Sequence, residues 1–176
     1  RANRLLSRCV DEIFIGFEAA RERFGQKKIT ESGTPVRSEF RNQNRDECCS
    51  RLGFDAAKPL ILVTGGSQGA RGLNRMVTGA LPRLTNHLPD TQWLHLCGPH
   101  DLAEVKKAYG ITCLRSAVHN FFHDMPSALG AADLVISRSG ASSLSELVAA
   151  KVPSILVPLP TAADDHQRAN ARAAAK

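Results

Sequence analysis

Leu60-Ile61-Leu62-Val63-Thr64-Gly65-Gly66-Ser67-Gln68-Gly69-Ala70-Arg71 reads as a buried strand, a glycine turn and the start of a helix. The same grammar returns in Leu134-Val135-Ile136-Ser137-Arg138-Ser139-Gly140-Ala141-Ser142-Ser143-Leu144-Ser145-Glu146. In each, a short apolar run gives way to small and hydroxyl-bearing residues and then to helical periodicity. That order places backbone N–H groups and a helix N-terminus at the carboxyl end of a parallel strand, where phosphate binds well. Two such turns predict one crevice for a phosphorylated ligand.

Outward from these turns, strand and helix patterns alternate. After Pro59 the expected elements are strand Leu60–Thr64, helix Ala70–Leu84 with Leu73, Met76, Val77, Ala80 and Leu84 on one face, strand Gln92–Cys97, helix Asp101–Tyr109 and strand Thr112–Val118. Helix Met125–Ala131, strand Leu134–Ser137, helix Ser142–Ala150, strand Ser154–Pro158, a loop over Thr161–Asp165 and a helix from Gln167 follow. Such alternation predicts an α/β fold, a Rossmann-like parallel sheet with helices on both faces. Before Pro59 the pattern gives the tail of a helix over Ala2–Arg8, strand Glu12–Phe17, a short helix Glu18–Phe24 and a strand over Lys27–Glu31. Ser32-Gly33-Thr34-Pro35-Val36-Arg37 is a turn, read as a domain junction. Ser38–Leu52 is polar and helical in pattern, ended by Gly53. The chain opens on Arg1 and closes on Lys176 inside a helical run, so a fragment truncated at both ends is expected.

Composition narrows the function. With 176 residues, 43% hydrophobic and 23% charged, the chain reads as a globular domain with a full core. No apolar run approaches the ~18 residues of a membrane span. The net charge of +6 fits a basic surface, a phosphorylated ligand or an anionic membrane. Nucleic acid is disfavoured, because the one Trp, one Tyr and seven Phe are not interleaved with basic residues. Five cysteines, an odd count without CxxC spacing, read as reduced thiols rather than disulfides. No metal site is expected. The six histidines show no ligand spacing, and the Asp164-Asp165 pair lacks further carboxylates nearby.

At each turn two readings stand. Gly65-Gly66-Ser67-Gln68-Gly69 lacks GxGxxG; its glycines serve either backbone approach to an oxyanion, helped by Ser67, or tight packing alone. At the second turn Arg138 is either solvated or a ligand contact. Ser139 or Ser143 is either a helix N-cap or a polar contact. Ser143-x-x-Glu146 is a capping-box pattern, so Glu146 is either part of a cap or an acceptor for a ribose diol. The loop from Pro158 to Gln167 is either an acidic helix start or a polar clamp in which His166 and Gln167 donate to sugar hydroxyls. His95, His100, His119 and His123 read as surface or satisfied histidines. Phe121-Phe122 reads as core, on a loop near the carboxyl end of the sheet.

Taken in order, GTPVR (33–37), LVTGGSQGA (62–70), DMP (124–126), AADLVISRSGASSLSEL (131–147) and VPSILVPLPTAADDHQRANA (152–171) resemble the carboxyl-terminal half of the MurG family of N-acetylglucosaminyltransferases, glycosyltransferase family 28. The resemblance spans nearly the whole chain, and its last two runs are the specific ones. It implies a GT-B architecture, with residues 1–31 a remnant of the amino-terminal acceptor domain and 32–176 the UDP-sugar-binding domain. It also implies that Gly66, Ser67, Gln68 and neighbouring amides meet the donor diphosphate beside Arg138, Ser139, Gly140, Ser142 and Ser143. Arg37 reaches the donor, the backbone near Phe122 reads uracil, Glu146 binds ribose, and His166 and Gln167 hold the N-acetylglucosamine hydroxyls. The implied reaction is an inverting, metal-independent transfer without a cofactor, from UDP-N-acetylglucosamine to an undecaprenyl-linked muramoyl-pentapeptide. The acceptor, the general base and the contact with the cytoplasmic membrane face belong to the missing amino-terminal domain, so the fragment alone is expected to be inactive. Thr34 stands where the family usually has Asn, and Thr112–His123 matches poorly. The rivals are another GT-B transferase with a lipid acceptor, a donor-binding subunit with a separate catalytic partner, and a nicotinamide oxidoreductase.

Overall fold

The computed structural model describes residues 2–16, 18–25, 28–160 and 165–175. Its centre is a five-stranded, all-parallel sheet in the order β5-β4-β3-β6-β7. These strands are β3 (Leu60–Thr64), β4 (Gln92–Leu96), β5 (Ser116–His119), β6 (Leu134–Ser137) and β7 (Ser154–Leu156). The chain leaves central β3 towards β4 and β5, then returns to the other side of β3 for β6 and β7. This is the strand order of a mononucleotide-binding α/β fold, with the switch point between β3 and its neighbours. A separate parallel pair, β1 (Glu12–Ile15) and β2 (Lys28–Glu31), precedes it, after a five-residue helix α1 (Ala2–Leu6).

Helices cover both faces, as expected from the alternation. Leu60, Leu62, Leu94, Leu96 and Val135 point to one face, packed by α2 (Arg45–Leu52), α5 (Met125–Ala131) and α6 (Ala141–Ala150). Ile61, Val63 and Trp93 point to the other, packed by α3 (Arg71–His87) and α4 (Leu102–Gly110). The period-2 alternation of β3 therefore feeds two cores at once. The last element is α7 (His166–Ala174). The Thr161–Asp165 loop lies, apart from Asp165, outside the described residues, as do Phe17 and Lys27 at the edges of the two expected amino-terminal strands.

Several boundaries differ from the sequence expectation, each for a local reason. The helix expected over Ser38–Leu52 is broken: Ser38–Phe40 is a single 3-10 turn, and α2 starts only at Arg45. Asn44 caps it, its side-chain oxygen accepting from the Asp46 and Glu47 amides at 3.0 and 3.3 Å. Gly53 ends it in the left-handed region (φ 74°), as its position suggested. Thr112–Leu114 is not strand. The Thr112 amide and hydroxyl both bond the Tyr109 carbonyl, which winds the chain into a turn, and β5 starts at Ser116. Helix α3 runs to His87, and its buried stripe is Leu73, Asn74, Val77 and Leu81; Met76, expected inside, is exposed.

His95, expected to be satisfied or on the surface, is fully buried on β4 between the Tyr109 hydroxyl (3.2 Å) and the Asn74 amide oxygen (3.1 Å). Burial pulls its pKa from the ordinary 6.5 down to about 4. A folded-state pKa below the unfolded one means that this contribution is complete above pH 6.5 and is lost as the pH falls towards 4. Urea denaturation between pH 7.5 and 5 should therefore lose about 2 kcal/mol of stability through this group, and His95→Gln should flatten that slope.

Candidate functional site

The carboxyl end of β3 leads into the turn that the sequence singled out. A Cβ on Gly65 would lie 2.5 Å from Ala70, and one on Gly69 (φ 73°) would lie 2.2 Å from the Cys97 carbonyl oxygen. These glycines answer the packing reading. Gly66 (φ 86°) has open space around its Cα and lines a cavity, which leaves it for the ligand reading. The turn is closed by the Gly69 amide on the Gly66 carbonyl at 3.0 Å and by the Gly66 amide on the Thr64 hydroxyl at 3.3 Å. Ser67 and Gln68 form its exposed tip, and the Ser67 hydroxyl bonds no described residue.

The second turn is built differently. Gly140, not Ser139 or Ser143, is the N-cap of α6, and no side chain caps it. The capping-box reading is therefore corrected: Ser143 is already the third helical residue, one turn too late to cap. Ser139 is fully buried, with its hydroxyl donating to the Gln167 carbonyl at 2.7 Å. Arg138 is not solvated. One guanidinium nitrogen donates to the Val157 and Pro158 carbonyls at 3.0 Å each, and burial pulls its pKa down. Uncapped, the first amides of α6 keep their donors open at Ser142 and Ser143.

These ends converge on a cavity of about 420 Å³ across the carboxyl ends of β3, β4 and β6. Its volume suits a small ligand. Leu96, Met125, Leu129, Leu147, Phe121 and Phe122 supply apolar lining, and Thr64, Gly66, Ser67, Asn120, Ser137, Ser142, Ser143 and Glu146 supply polar groups. Glu146, on the second turn of α6, is half-buried; burial pushes its carboxyl pKa up, opposed by the charge of Arg37. The Arg37 guanidinium is held over the Phe40 ring, 5.0 Å from its centroid. Phe122 packs against the core and reaches the cavity as well.

Of the sequence-expected residues, the structure thus gathers Gly66, Ser67, Phe122, Ser142, Ser143 and Glu146, and Arg37 acts on Glu146 through its charge. Gln68 stands at the turn tip. Arg138, Ser139 and Gly140 sit behind the cavity as clamp, tie and cap. Gln167 is occupied internally, its side-chain oxygen accepting from the Leu159 amide at 2.9 Å. His166 is exposed at the first position of α7. Sequence reasoning missed Thr64, Leu96, Asn120, Phe121, Met125, Leu129, Ser137 and Leu147 as cavity residues. The three strand-end positions among them, Thr64, Leu96 and Ser137, were findable from the rule that ligands gather outside carboxyl strand ends. Among the described residues no three His, Cys, Asp or Glu side chains gather as a metal site, and no helix is long and apolar enough to cross a membrane.

A parallel sheet in this order, with its cavity at the switch point beside an open helix start, has the architecture of a GT-B glycosyltransferase domain. Residues 60–176 match the glycosyltransferase family 28 C-terminal domain, and the chain belongs to that family. It is 40% identical over 171 residues to a Myxococcus xanthus protein named UDP-N-acetylglucosamine--N-acetylmuramyl-(pentapeptide) pyrophosphoryl-undecaprenol N-acetylglucosamine transferase, covering 97% of this chain and 43% of that one. A Listeria monocytogenes protein of the same name is 40% identical, with 99% and 48% covered. The crystal structure of Acinetobacter baumannii MurG superposes with a TM-score of 0.71 at 32% identity, over 98% of this chain and 46% of that one. The chain thus spans less than half the length of the relatives it matches.

The two turns should respond differently to a methyl group. Gly69→Ala, which combines a positive φ with a backbone clash, should lower stability by more than about 2 kcal/mol. Gly140→Ala, with open space and φ −66°, should cost at most about 1 kcal/mol. Urea midpoints of both variants check this.

Proposed function

We propose that this chain is the donor-binding part of an inverting transferase that moves N-acetylglucosamine from UDP-N-acetylglucosamine to an undecaprenyl-linked muramoyl-pentapeptide. Residues 32–176 form the donor domain, and residues 1–31 belong with the acceptor domain. The observation that carries this reading is the single cavity shared by the Gly66–Ser67 turn, the open start of α6 and Glu146. A nucleoside with its base among Phe121, Phe122 and Leu96 would bring its ribose hydroxyls to Glu146, which accepts them as a carboxylate. Its diphosphate would meet Ser67 and the Ser142–Ser143 amides, where N–H donors and the helix dipole favour negative charge. The same donors stabilise charge growing on the leaving diphosphate.

In this reading the charge of Arg37 partly offsets the upward push that burial gives the Glu146 pKa, and Gln68 and Gly140 border the diphosphate. His166 and Gln167, at the start of α7, hold the N-acetylglucosamine hydroxyls in this reading, Gln167 through its amide nitrogen, since its oxygen is taken by the Leu159 amide. The names of the relatives support the donor and the acceptor. In this reading the acceptor, the general base and the contact with the cytoplasmic membrane face fall to the acceptor domain, with which residues 1–31 belong.

Calorimetry of the chain with UDP-N-acetylglucosamine, with and without EDTA, should give saturable binding that EDTA does not change. UDP-glucose should bind more weakly. Glu146→Gln should weaken binding about 10- to 100-fold, the loss of hydrogen bonds to a charged group. A folded chain that binds neither donor, or an unchanged Glu146→Gln, would overturn the assignment.

A further inference from the structure

Asn74 lies on the buried stripe of α3, where periodicity calls for an apolar residue, and is 2% exposed. Its side-chain nitrogen donates to the Cys97 carbonyl and to Asp101 Oδ2, both at 2.8 Å. Both partners only accept, which fixes the amide orientation and turns Oδ1 towards His95 Nε2 at 3.1 Å. Oδ1 itself only accepts, so His95 carries its proton on Nε2, and Nδ1 accepts from the Tyr109 hydroxyl. Asp101, itself buried, turns its other oxygen to Arg71, the first residue of α3, at 3.7 Å. A buried network in which every member is satisfied holds one geometry.

The held group is the Cys97 carbonyl, and its place matters. This carbonyl and Gly98 press directly on Gly69 and Gln68, so closely that neither Gly69 nor Gly98 has room for a Cβ. The Cys97 amide also donates to the His119 carbonyl at 3.0 Å, next to the cavity residue Asn120. We infer that Asn74, oriented by His95 and Asp101, is a positioning residue. It fixes the Cys97–Gly98 segment, which fixes Gly69, which sets where Gly66 and Ser67 stand at the cavity mouth. The consequence for ligand binding rests on the donor-site reading above.

The network bears on the turn by direct contact with Gly69 and reaches the Phe122 side only through the His119 carbonyl, so its loss should be felt far more by the phosphates than by the nucleoside. Calorimetry of the 176-residue chain with UDP and with uridine tests this, with urea denaturation as the control for folding. Asn74→Leu, close in volume, should weaken UDP at least about tenfold and change uridine by less than about twofold. It should also speed amide exchange at Gly66–Gly69 in the ligand-free protein. Asp101→Ala removes one of the two acceptors at the network's outer edge; it is the second variant in case Asn74→Leu does not fold. It should weaken UDP about threefold and speed the same amides. Equal weakening of both ligands, or unchanged UDP affinity and exchange in the folded variants, overturns the inference. A wild-type chain that binds neither ligand overturns the donor-site reading instead; faster exchange at the turn in the variants would then still uphold the positioning role.

Discussion

Strand β3 is hydrogen-bonded on both sides, to β4 through five residue pairs and to β6 through four, and every residue from Leu60 to Thr64 is buried. A strand so enclosed has no freedom of register, because a slip by one residue would exchange its two apolar faces. The end of β3 is therefore a fixed point. From it the chain must turn into α3 within the few residues between Thr64 and Arg71, against the end of β4. The shape of that turn follows from this confinement: three glycines, two of them where no side chain fits. The cavity exists because the strand on the other flank, β6, ends level with β3 and sends its helix up the opposite wall.

The two turns look alike as sequence and differ as physics. At the first, glycine is a steric necessity, and the backbone is tied down by its neighbour strand. At the second, Gly140 is sterically unconstrained and acts by leaving the helix start uncapped, while Arg138 and Ser139 bind the strand end to the loop after β7 and to α7. One turn supplies rigid placement and the other supplies open donors. A site that must hold negative charge needs both, since donors confer little if they must reorganise around the ligand.

The fold was legible because its signals were redundant. Apolar runs of strand length alternated with helical periodicity, and boundaries such as Met125–Ala131 and Leu134–Ser137 came out unchanged. Where it was misread, a local side-chain bond outweighed periodicity: Asn44 restarting a helix, and Thr112 winding a turn. The site was half legible. Gly66, Ser67, Ser142, Ser143 and Glu146 line the cavity, but pattern alone left them open between packing, capping and ligand contact, and only the family resemblance singled them out. The apolar lining was not singled out at all, because Leu96, Leu129 and Leu147 are indistinguishable in sequence from core. Of the two readings open for Arg138, solvated or ligand contact, the first fails because the segment of Val157 and Pro158 closes over the strand end. Asn74 hid as a polar residue on a stripe that tolerates one only when all its hydrogen bonds are met.

The remaining asymmetry is electrostatic. Arg138 is buried at the end of β6 with no ion pair to any described carboxylate, and its Nε has no hydrogen-bond partner among the described residues. Glu146 is half-buried in the cavity wall, with desolvation outweighing the charge of Arg37. Neither arrangement favours the empty fold, because each removes a charge from water without a full set of partners. Both lie on the β6–α6 segment that forms one cavity wall; Arg45 also has an unpartnered Nε, but its charge is met by Asp133 at 2.6 Å. What sets the β6–α6 segment apart is that its two charged side chains are desolvated without an ion pair among the described residues, and such groups beside a cavity mark a candidate ligand site. The signs fit as well: a positive strand end behind open helix amides, and a carboxylate a turn further along that can accept from hydroxyls. A ligand with negative charge at one end and hydroxyl donors beside it would match both signs, which is the electrostatic side of the proposed donor site.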